Sequence, residues 1–254
     1  MDDDLLRHYG EGVERDRLGV DGDGLELVRT LELLERFLPS APARILDVGG
    51  GPGVYAERLV RDGYDVHLLD FVELHVEQAR GRGGFVAEHG DARDLSRFAE
   101  KSFDVVLLLG PLYHLTERAD RVAAFAEARR VVRAGGVVVA AAITRFASLI
   151  DGTVHGYIDD PRFQEIVRRD LREGQHRNPE NVDGWFTTAY FHLPAELCAE
   201  AVEAGLHVEG LFGVEGPGGW LDLWPAEDER VLLAARLGEG AAGVSPHMLC
   251  VARR

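Results

Sequence analysis

The stretch from residue 45 to residue 55, Ile-Leu-Asp-Val-Gly-Gly-Gly-Pro-Gly-Val-Tyr, constrains the fold of this chain more than any other. Ile45–Val48 is typical of a short buried strand, and a helical pattern runs from Val54 to Asp62 and ends at Gly63. Between them lie four glycines, which let a ligand approach the backbone closely. They precede a helix N-terminus, whose first N–H groups have no partner within the helix. This order of elements predicts an α/β fold that binds a ligand at the loop.

Short apolar runs recur along the chain as far as residue 143, and several are rich in β-branched residues and bounded by Gly, Asp or Pro. Runs of this kind are typical of buried parallel strands. The predicted strands are Ile45–Val48, Val66–Leu69, Phe85–Ala87, Val105–Leu109 and Val137–Ile143.

Helical patterns separate these runs. Val72, Val76 and Ala79 share one helix face, and a longer helix is marked by apolar residues from Val122 to Val132 and stops at Gly135-Gly136. Strands that alternate with helices predict a doubly wound, mostly parallel sheet with helices on both faces.

The pattern resumes after residue 193, with helices near 194–204 and 226–237 and strands near 207–214 and 247–252. The last strand is expected to pair antiparallel, as edge strands of such sheets often do. The predicted fold class is therefore α/β, with a seven-stranded sheet whose last strand is antiparallel.

Residues 144–193 interrupt the alternation and hold 7 of the 20 aromatic residues. A connection of this length inside a compact domain is usually functional, so we expect a helical and aromatic lid insertion after strand five. We expect a single domain over 1–254, made of four parts: an N-terminal helical cap (1–40), a ligand-binding core (41–143), the lid (144–193) and the completion of the sheet (194–254).

Composition excludes several classes of function. The formal net charge is −16, which argues against non-specific binding to nucleic acid or to an anionic membrane. The longest apolar stretches, Phe103–Leu115 and Gly135–Ile143, fall short of the ~20 residues that span a bilayer, and the acidic N-terminus has no secretory signal. The two cysteines, Cys198 and Cys250, indicate free thiols in a cytoplasmic protein, and no histidine pattern predicts a metal site.

The glycine spacing restricts the ligand. A dinucleotide fingerprint requires G-x-G-x-x-G, but here the third position falls on Val54, because the spacing is Gly49-x-Gly51-x-Gly53. Asp47 lies beside the loop, where a carboxylate would repel a pyrophosphate and attract the ammonium group of an amino acid. Asp70 ends the next strand, where it can accept hydrogen bonds from both hydroxyls of a ribose.

From Arg44 to Ile143 the chain resembles the class I S-adenosylmethionine-dependent methyltransferases. The loop Asp47–Gly53 matches the first motif of that family, and Arg133–Gly136 resembles the turn before its fifth strand, with Ala134 where proline is commoner. The segment Pro111-Leu-Tyr-His-Leu115, which follows the fourth strand at Leu109, is similar to a bacterial small-molecule subgroup.

The resemblance implies how the cofactor would be held. Asp70 matches the acid that binds the ribose, Phe71 would lie against the adenine, and Asp91 and Ala92 match the segment that meets the adenine amino group. An early helical segment with Tyr9 and Arg17 often covers the methionine end in relatives, although Arg17 can equally be a solvated charge. The remaining residues implied to contact the cofactor are Asp47, Gly49, Gly51, Gly53 and Leu109.

The implied reaction is direct in-line transfer of a methyl group from S-adenosylmethionine to a small-molecule acceptor, which leaves S-adenosylhomocysteine. A base is required only if the nucleophile binds protonated, and His114, Tyr113, His192 and Tyr190 are the candidates. Each of them can instead be a wall or packing residue. Arg145, Phe186 and Tyr190 are candidates for contact with the acceptor.

Two other functions remain open. A nicotinamide-dependent oxidoreductase on a related fold would require the third fingerprint glycine and a Tyr-x-x-x-Lys pair, but the only lysine, Lys101, follows Arg97 at that spacing. A non-catalytic nucleoside-binding protein would retain the pocket without the chemistry. The sequence also leaves open whether the protein is a monomer or a homodimer.

Overall fold

The computed structural model describes residues 24–220 and 228–254. Tyr9 and Arg17, together with most of the predicted N-terminal cap, lie outside the described residues. The strands in the described part are β1 Arg44–Val48, β2 Asp65–Asp70, β3 Val86–His89, β4 Phe103–Leu108, β5 Val132–Ile143, β6 Gln175–His176, β7 Ala189–Tyr190, β8 His207–Gly213 and β9 His247–Arg253. The α-helices there are α1 Leu25–Phe37, α2 Val54–Arg61, α3 Glu73–Arg82, α4 Arg118–Val131, α5 Ala147–Val154, α6 Pro161–Glu173, α7 Pro194–Glu203 and α8 Glu229–Gly238.

Seven strands form one sheet in the order β3-β2-β1-β4-β5-β9-β8. Neighbouring strands from β3 to β5 are parallel, and β9 runs antiparallel to both β5 and β8. The structure therefore confirms the predicted fold class. The chain builds outward from β1 to β3 and then returns to β4, so the topology switches between β1 and β4, where the carboxyl ends of the strands open a crevice.

The central strands β1, β4 and β5 are mostly buried, because both faces of the sheet are covered. Leu46 packs on one face with Phe125 of α4 and Leu197 of α7. Ile45, one residue earlier, packs on the opposite face with side chains of α1, α2 and α3, among them Leu59. Since successive side chains of a strand point to opposite faces, a doubly covered strand shows no polar alternation.

The predicted boundary between the longer helix and strand five differs in the structure. The longer helix ends at Val131 rather than at Gly135, because Val132 is fully buried and already pairs with Phe103 of β4. The register then shifts before Val105 pairs with Val137, so residues 133–136 form an irregularity at the start of β5. A buried β-branched residue fits the apolar pattern of either element, so periodicity alone placed this boundary too late.

The segment 144–193 contains α5, a 3₁₀ turn at Tyr157–Asp159, α6 and the two-stranded ribbon β6–β7. It joins the end of the main sheet through a parallel bridge between Thr144 and His192. A buried polar cluster holds its parts together: the Ser148 hydroxyl donates to Asp170, and His176 contacts Asp170 at 2.7 Å. Its action as a lid remains a prediction.

None of the helices found in residues 24–220 and 228–254 combines the length and the apolar character needed to cross a bilayer. Cys198 and Cys250 are both free thiols, the first half-buried and the second buried.

Candidate functional site

A cleft of about 580 Å³ opens at the carboxyl ends of β1, β2 and β4, at the switch in topology. Loops after three strands contribute the residues that the sequence predicts for the cofactor, namely Gly49, Gly51, Asp70, Phe71 and Ala92. The loop after β4 lines the other end with Pro111, Tyr113 and His114. The structure thus brings together side chains that lie 65 residues apart in the sequence, from Gly49 to His114.

The glycine loop is shaped by close packing against its neighbours. Gly49 has a φ of +72°, and a Cβ there would lie 2.7 Å from the Cδ of Pro111. A Cβ at Gly50 would lie 2.6 Å from Asp47 Oδ2. A side chain at either position would displace the loop, so Gly49 lets the β1 end approach the residues after β4, and Gly50 lets the loop pack on β1 and β2.

Asp70 ends β2 and is held by three hydrogen bonds. Oδ2 accepts from the backbone N–H of Gly51 at 2.8 Å, and Oδ1 accepts from the backbone N–H of Val72 at 2.8 Å. Oδ1 also contacts His75 Nδ1 at 3.2 Å. The carboxylate is only 6 % exposed but lines the cleft, so it is presented to a ligand in one orientation.

Asp47 is fully buried beneath the glycine loop, and neither of its carboxylate oxygens has a hydrogen-bond partner in the described part of the chain. Burial, together with the negative charge of Asp70, raises the pKa of Asp47 from 3.8 to about 7. A buried carboxylate without a donor is costly and is usually paired with a cation. The site therefore fits a ligand that carries positive charge beside the loop, as the amino acid part of S-adenosylmethionine does.

The segment around Asp91, which was predicted to meet the adenine amino group, lies only partly in the cleft. Gly90 and Ala92 line it, whereas the Asp91 carboxylate forms an ion pair with Arg93 at 2.6 Å. Burial acts to raise the pKa of Asp91, but the hydrogen bonds from Arg93 outweigh it and lower the pKa below its ordinary value. Leu109 is buried behind the loop at 8 % exposure. Contact of Asp91 and Leu109 with the cofactor remains a prediction.

Tyr113 and His114 form the other wall. They belong to a 3₁₀ turn, Leu112–His114, and their rings meet edge to face with centroids 4.6 Å apart. Tyr113 also packs in an aromatic cluster that joins the end of β5 to the segment 144–193 and to the loop after β8. Besides Tyr113, the members of this cluster are Ile143, Ala147, Ala189, Phe191, Phe186 and Trp220.

Phe186, a candidate for acceptor contact, lies at the outer side of this cluster. Its φ is +59°, a left-handed conformation that is unusual for a bulky residue. Backbone strain of this kind persists only where surrounding contacts impose it. Here the ring lies 6.2 Å from that of Phe191 and 6.2 Å from that of His176.

Three other candidates lie in a buried polar network rather than in the cleft as the structure describes it. The Tyr190 hydroxyl donates to Glu196 at 3.2 Å and accepts from Arg145 at 3.1 Å. Burial and the negative charge of Glu196 raise the pKa of Tyr190. Arg145 also donates to the carbonyl of Phe191, and only 3 % of it is exposed, so these contacts occupy the guanidinium group that was predicted to contact the acceptor.

His192 belongs to the same network. It is fully buried, and its Nε2 contacts the carboxylate of Glu200 at 3.2 Å. Burial lowers the pKa of His192, despite the opposing effect of Glu200. Arg121 completes the network: it donates to Glu200 at 2.7 Å, and its guanidinium lies 3.6 Å from the ring centroid of Tyr190. These contacts favour a structural role for His192 and Tyr190.

His75 also lines the cleft, although it was not among the site residues predicted from the sequence. It lies in the first turn of α3, five residues after Asp70, and is 4 % exposed. Its position in the sequence could have indicated this role, because a side chain in the first turn of a helix that directly follows a strand lies at the same edge of the sheet as the end of that strand.

One group of side chains among the described residues has ligand atoms close enough to share a metal ion. Glu26, Glu215 and His247 place one such atom each within 4.8 Å of the others, at the edge of the sheet beyond β5. Glu215 already accepts hydrogen bonds from the Ser245 hydroxyl and from the backbone N–H of His247. The absence of a metal cofactor therefore remains a prediction.

Comparison with known proteins identifies the family. Residues 46–140 match the family model described as a methyltransferase domain. A ubiquinone biosynthesis O-methyltransferase of Thiobacillus denitrificans is 32 % identical over 189 residues, which cover 72 % of this chain and 73 % of that protein. The chain belongs to the class I S-adenosylmethionine-dependent methyltransferases. This methyltransferase is thus a transferase whose methyl donor is S-adenosylmethionine.

Other relatives agree with this identification. A ubiquinone biosynthesis O-methyltransferase of Xylella fastidiosa (strain 9a5c) is 29 % identical over 72 % of this methyltransferase and 69 % of that protein. An S-adenosylmethionine-dependent methyltransferase structure from Mesorhizobium loti superposes with a TM-score of 0.63. It is 19 % identical and covers 91 % of this chain and 100 % of that chain, a likeness that shows the shared fold. The proposed alternatives, an oxidoreductase and a non-catalytic nucleoside-binding protein, gain no support from these relatives.

Proposed function

We propose that this methyltransferase transfers a methyl group directly to a hydroxyl of a small molecule with an apolar ring body. The observation that carries the proposal is the buried Asp47 carboxylate, which has no partner in the described residues and lies directly beneath the glycine loop. That loop and Asp70 line a cleft that ends at Tyr113 and His114. One end of this cleft is suited to a cationic nucleoside, and the other is walled by aromatic rings.

The cofactor end is assigned residue by residue. Asp70 receives the two ribose hydroxyls, Phe71 and Ala92 lie along the adenine, and Asp47 faces the ammonium group. Gly49, Gly51 and Gly53 let the backbone approach the ligand. When bound, S-adenosylmethionine supplies a methyl group on a positively charged sulfur. The chain then has to orient the acceptor and exclude water, and alignment of this kind can supply ~7–11 kcal/mol of the barrier.

The acceptor end is assigned from its chemistry. Tyr113 and the aromatic cluster behind it offer an apolar surface, with Phe186 and Trp220 only partly buried. His114 lies at the mouth of the cleft, where an imidazole can take the proton of a hydroxyl as it becomes the nucleophile. The relatives named ubiquinone biosynthesis O-methyltransferases support an oxygen acceptor.

The proposal extends to the domain organisation, the class of acceptor and the location of the protein. We assign it one methyltransferase domain over 1–254, in which the segment 144–193 closes over the acceptor. The net charge of −16 supports a small-molecule acceptor over nucleic acid, and two free cysteines support a cytoplasmic location. No metal is assigned to the reaction.

Calorimetric titration tests the cofactor, with S-adenosylmethionine, S-adenosylhomocysteine and NAD as ligands. We expect the first two to bind and NAD to fail. Binding of NAD alone would refute the proposal. A panel of hydroxylated aromatic compounds, scored by a mass gain of one methyl group, tests the acceptor. Methylation confined to amines or thiols would refute the oxygen assignment and leave the cofactor assignment intact.

A further inference from the structure

We propose that His75 is a positioning residue for the cofactor, because its Nδ1–H bond to Asp70 holds the carboxylate in the orientation that receives the ribose hydroxyls. This inference rests on the proposed ribose role of Asp70. It adds a residue that acts through that carboxylate, from the helix that follows it.

The first step is the direction of the hydrogen bond. Nδ1 of His75 lies 3.2 Å from Oδ1 of Asp70. An ionised carboxylate can only accept, so Nδ1 is the donor. Both oxygens of Asp70 accept backbone N–H groups, Oδ2 from Gly51 and Oδ1 from Val72, as the oxygens of a carboxylate do.

The other two donors to the Asp70 carboxylate come from loops, and His75 does not. The backbone N–H groups of Gly51 and Val72 bind one carboxylate oxygen of Asp70 each. Both groups belong to loops that border the cleft, whereas His75 projects from α3 and packs at 4 % exposure. His75 is thus the side-chain donor that ties Asp70 to a regular element of the fold. Residues fixed by packed elements hold a binding group more accurately than loops do.

The third step is charge. Asp47 is buried beside Asp70, and the negative charge of Asp70 helps to raise the pKa of Asp47. A hydrogen bond donated to a carboxylate oxygen stabilises its negative charge. The bond from His75 therefore fixes Asp70 beside Asp47, where its oxygens can accept the two O–H groups of a ribose diol.

The experiment is a double-mutant cycle between His75 and Asp70, read as the dissociation constant of S-adenosylhomocysteine by calorimetry. We expect His75→Leu to weaken binding about tenfold, since it removes a hydrogen bond to a charged group. His75→Asn should retain affinity within about threefold, because its amide nitrogen can replace Nδ1 as the donor. In the Asp70→Asn background, His75→Leu should have little further effect.

Two readouts separate this role from a purely structural one. In steady-state kinetics, His75→Leu should raise KM for S-adenosylmethionine and leave kcat nearly unchanged, as expected for lost ground-state binding. Urea unfolding of each variant reports any loss of folding. His67→Leu is the matched control, because His67 lies on β2 and pairs with the exposed Glu88 instead of Asp70.

The outcomes distinguish this inference from the function on which it rests. If Asp70→Asn binds S-adenosylhomocysteine as tightly as the wild type, the ribose assignment itself is wrong. If Asp70→Asn weakens binding while His75→Leu does not, only the positioning role is overturned. Additive effects of the two substitutions would also overturn it, because His75 would then act independently of Asp70.

Discussion

Replacement of Asp47 by asparagine should stabilise the ligand-free protein at alkaline pH. Burial and the charge of Asp70 raise the pKa of Asp47 from 3.8 to about 7, and no described residue hydrogen-bonds to its oxygens. An acid with a raised pKa in the folded state binds protons more tightly there than in the unfolded chain. Its contribution to stability is full below its unfolded pKa and is lost as the pH rises through the folded pKa.

The size of the effect follows from the shift. About three pKa units at ~1.4 kcal/mol each give ~4 kcal/mol of lost stability once the pH is well above 7. An asparagine cannot ionise, but its own unpaired amide costs ~1–3 kcal/mol in the same place. Asp47→Asn should therefore raise the free energy of unfolding by about 2 kcal/mol at about pH 8, and towards pH 4 this gain should turn into a loss of about 2 kcal/mol, because only the cost of the amide remains.

Urea unfolding of the ligand-free protein at both pH values measures this difference. Asp65→Asn is the matched control, because Asp65 is exposed at the start of β2 and its replacement should change little at either pH. With S-adenosylhomocysteine present the order should reverse, since the asparagine no longer attracts the ammonium group. An Asp47→Asn variant that is less stable than the wild type at pH 8, or shifted equally at both pH values, would refute the reasoning.

Further predictions concern affinity, turnover and stability. Asp70→Ala should weaken binding of S-adenosylhomocysteine at least tenfold, because two hydrogen bonds to a charged group are worth ~1.5–3 kcal/mol each; unchanged calorimetric affinity would contradict the ribose assignment. The affinity for S-adenosylmethionine should increase as the pH rises through about 7, since ionised Asp47 attracts the cation, and Asp47→Asn should abolish that dependence in titrations. His114→Gln should lower kcat on a hydroxyl acceptor ~10²-fold or more with little change in cofactor affinity, whereas a fully active variant would leave His114 a wall residue. Arg121→Met should lower the free energy of unfolding by about 3–5 kcal/mol, because it leaves the buried Glu200 carboxylate without its cation, and the double variant with Glu200→Leu should recover much of this loss. An unaltered urea midpoint for the single variant would show that the pair is not buried in solution.

The fold and the cofactor end were predictable from sequence because their determinants are local. Residues 44–70 contain a strand, a glycine loop, a helix and an acid at the end of the next strand. Each of these elements can be recognised from the residue types within it. The mostly parallel sheet followed from the alternation of strands with helices, but the strand order did not, since the last strand, β9, lies between β5 and β8 rather than at the edge. The boundary at Val132 was not predictable, because it depends on pairing with Phe103, which is 29 residues earlier in the chain.

Candidate side chains at the acceptor end were harder to assign. Tyr190, His192 and Arg145 lie where the segment 144–193 joins the main sheet, next to the bridge between Thr144 and His192. Their hydrogen-bond and ring partners include residues of α4 and α7, so these side chains point into a buried polar network and not into the cleft. No sequence pattern around residue 190 indicates that Arg121 lies on the Tyr190 ring.

The sequence by itself determined the architecture and the class of cofactor, because short-range backbone preferences and apolar periodicity encode both. Only the tertiary structure decided which polar groups face the cleft. It brought His75 to Asp70, buried Asp47 without a described partner and paired Arg121 with Glu200 across 79 residues. The physical reason is that hydrogen bonding and desolvation depend on neighbours supplied by distant parts of the chain, which local pattern does not specify.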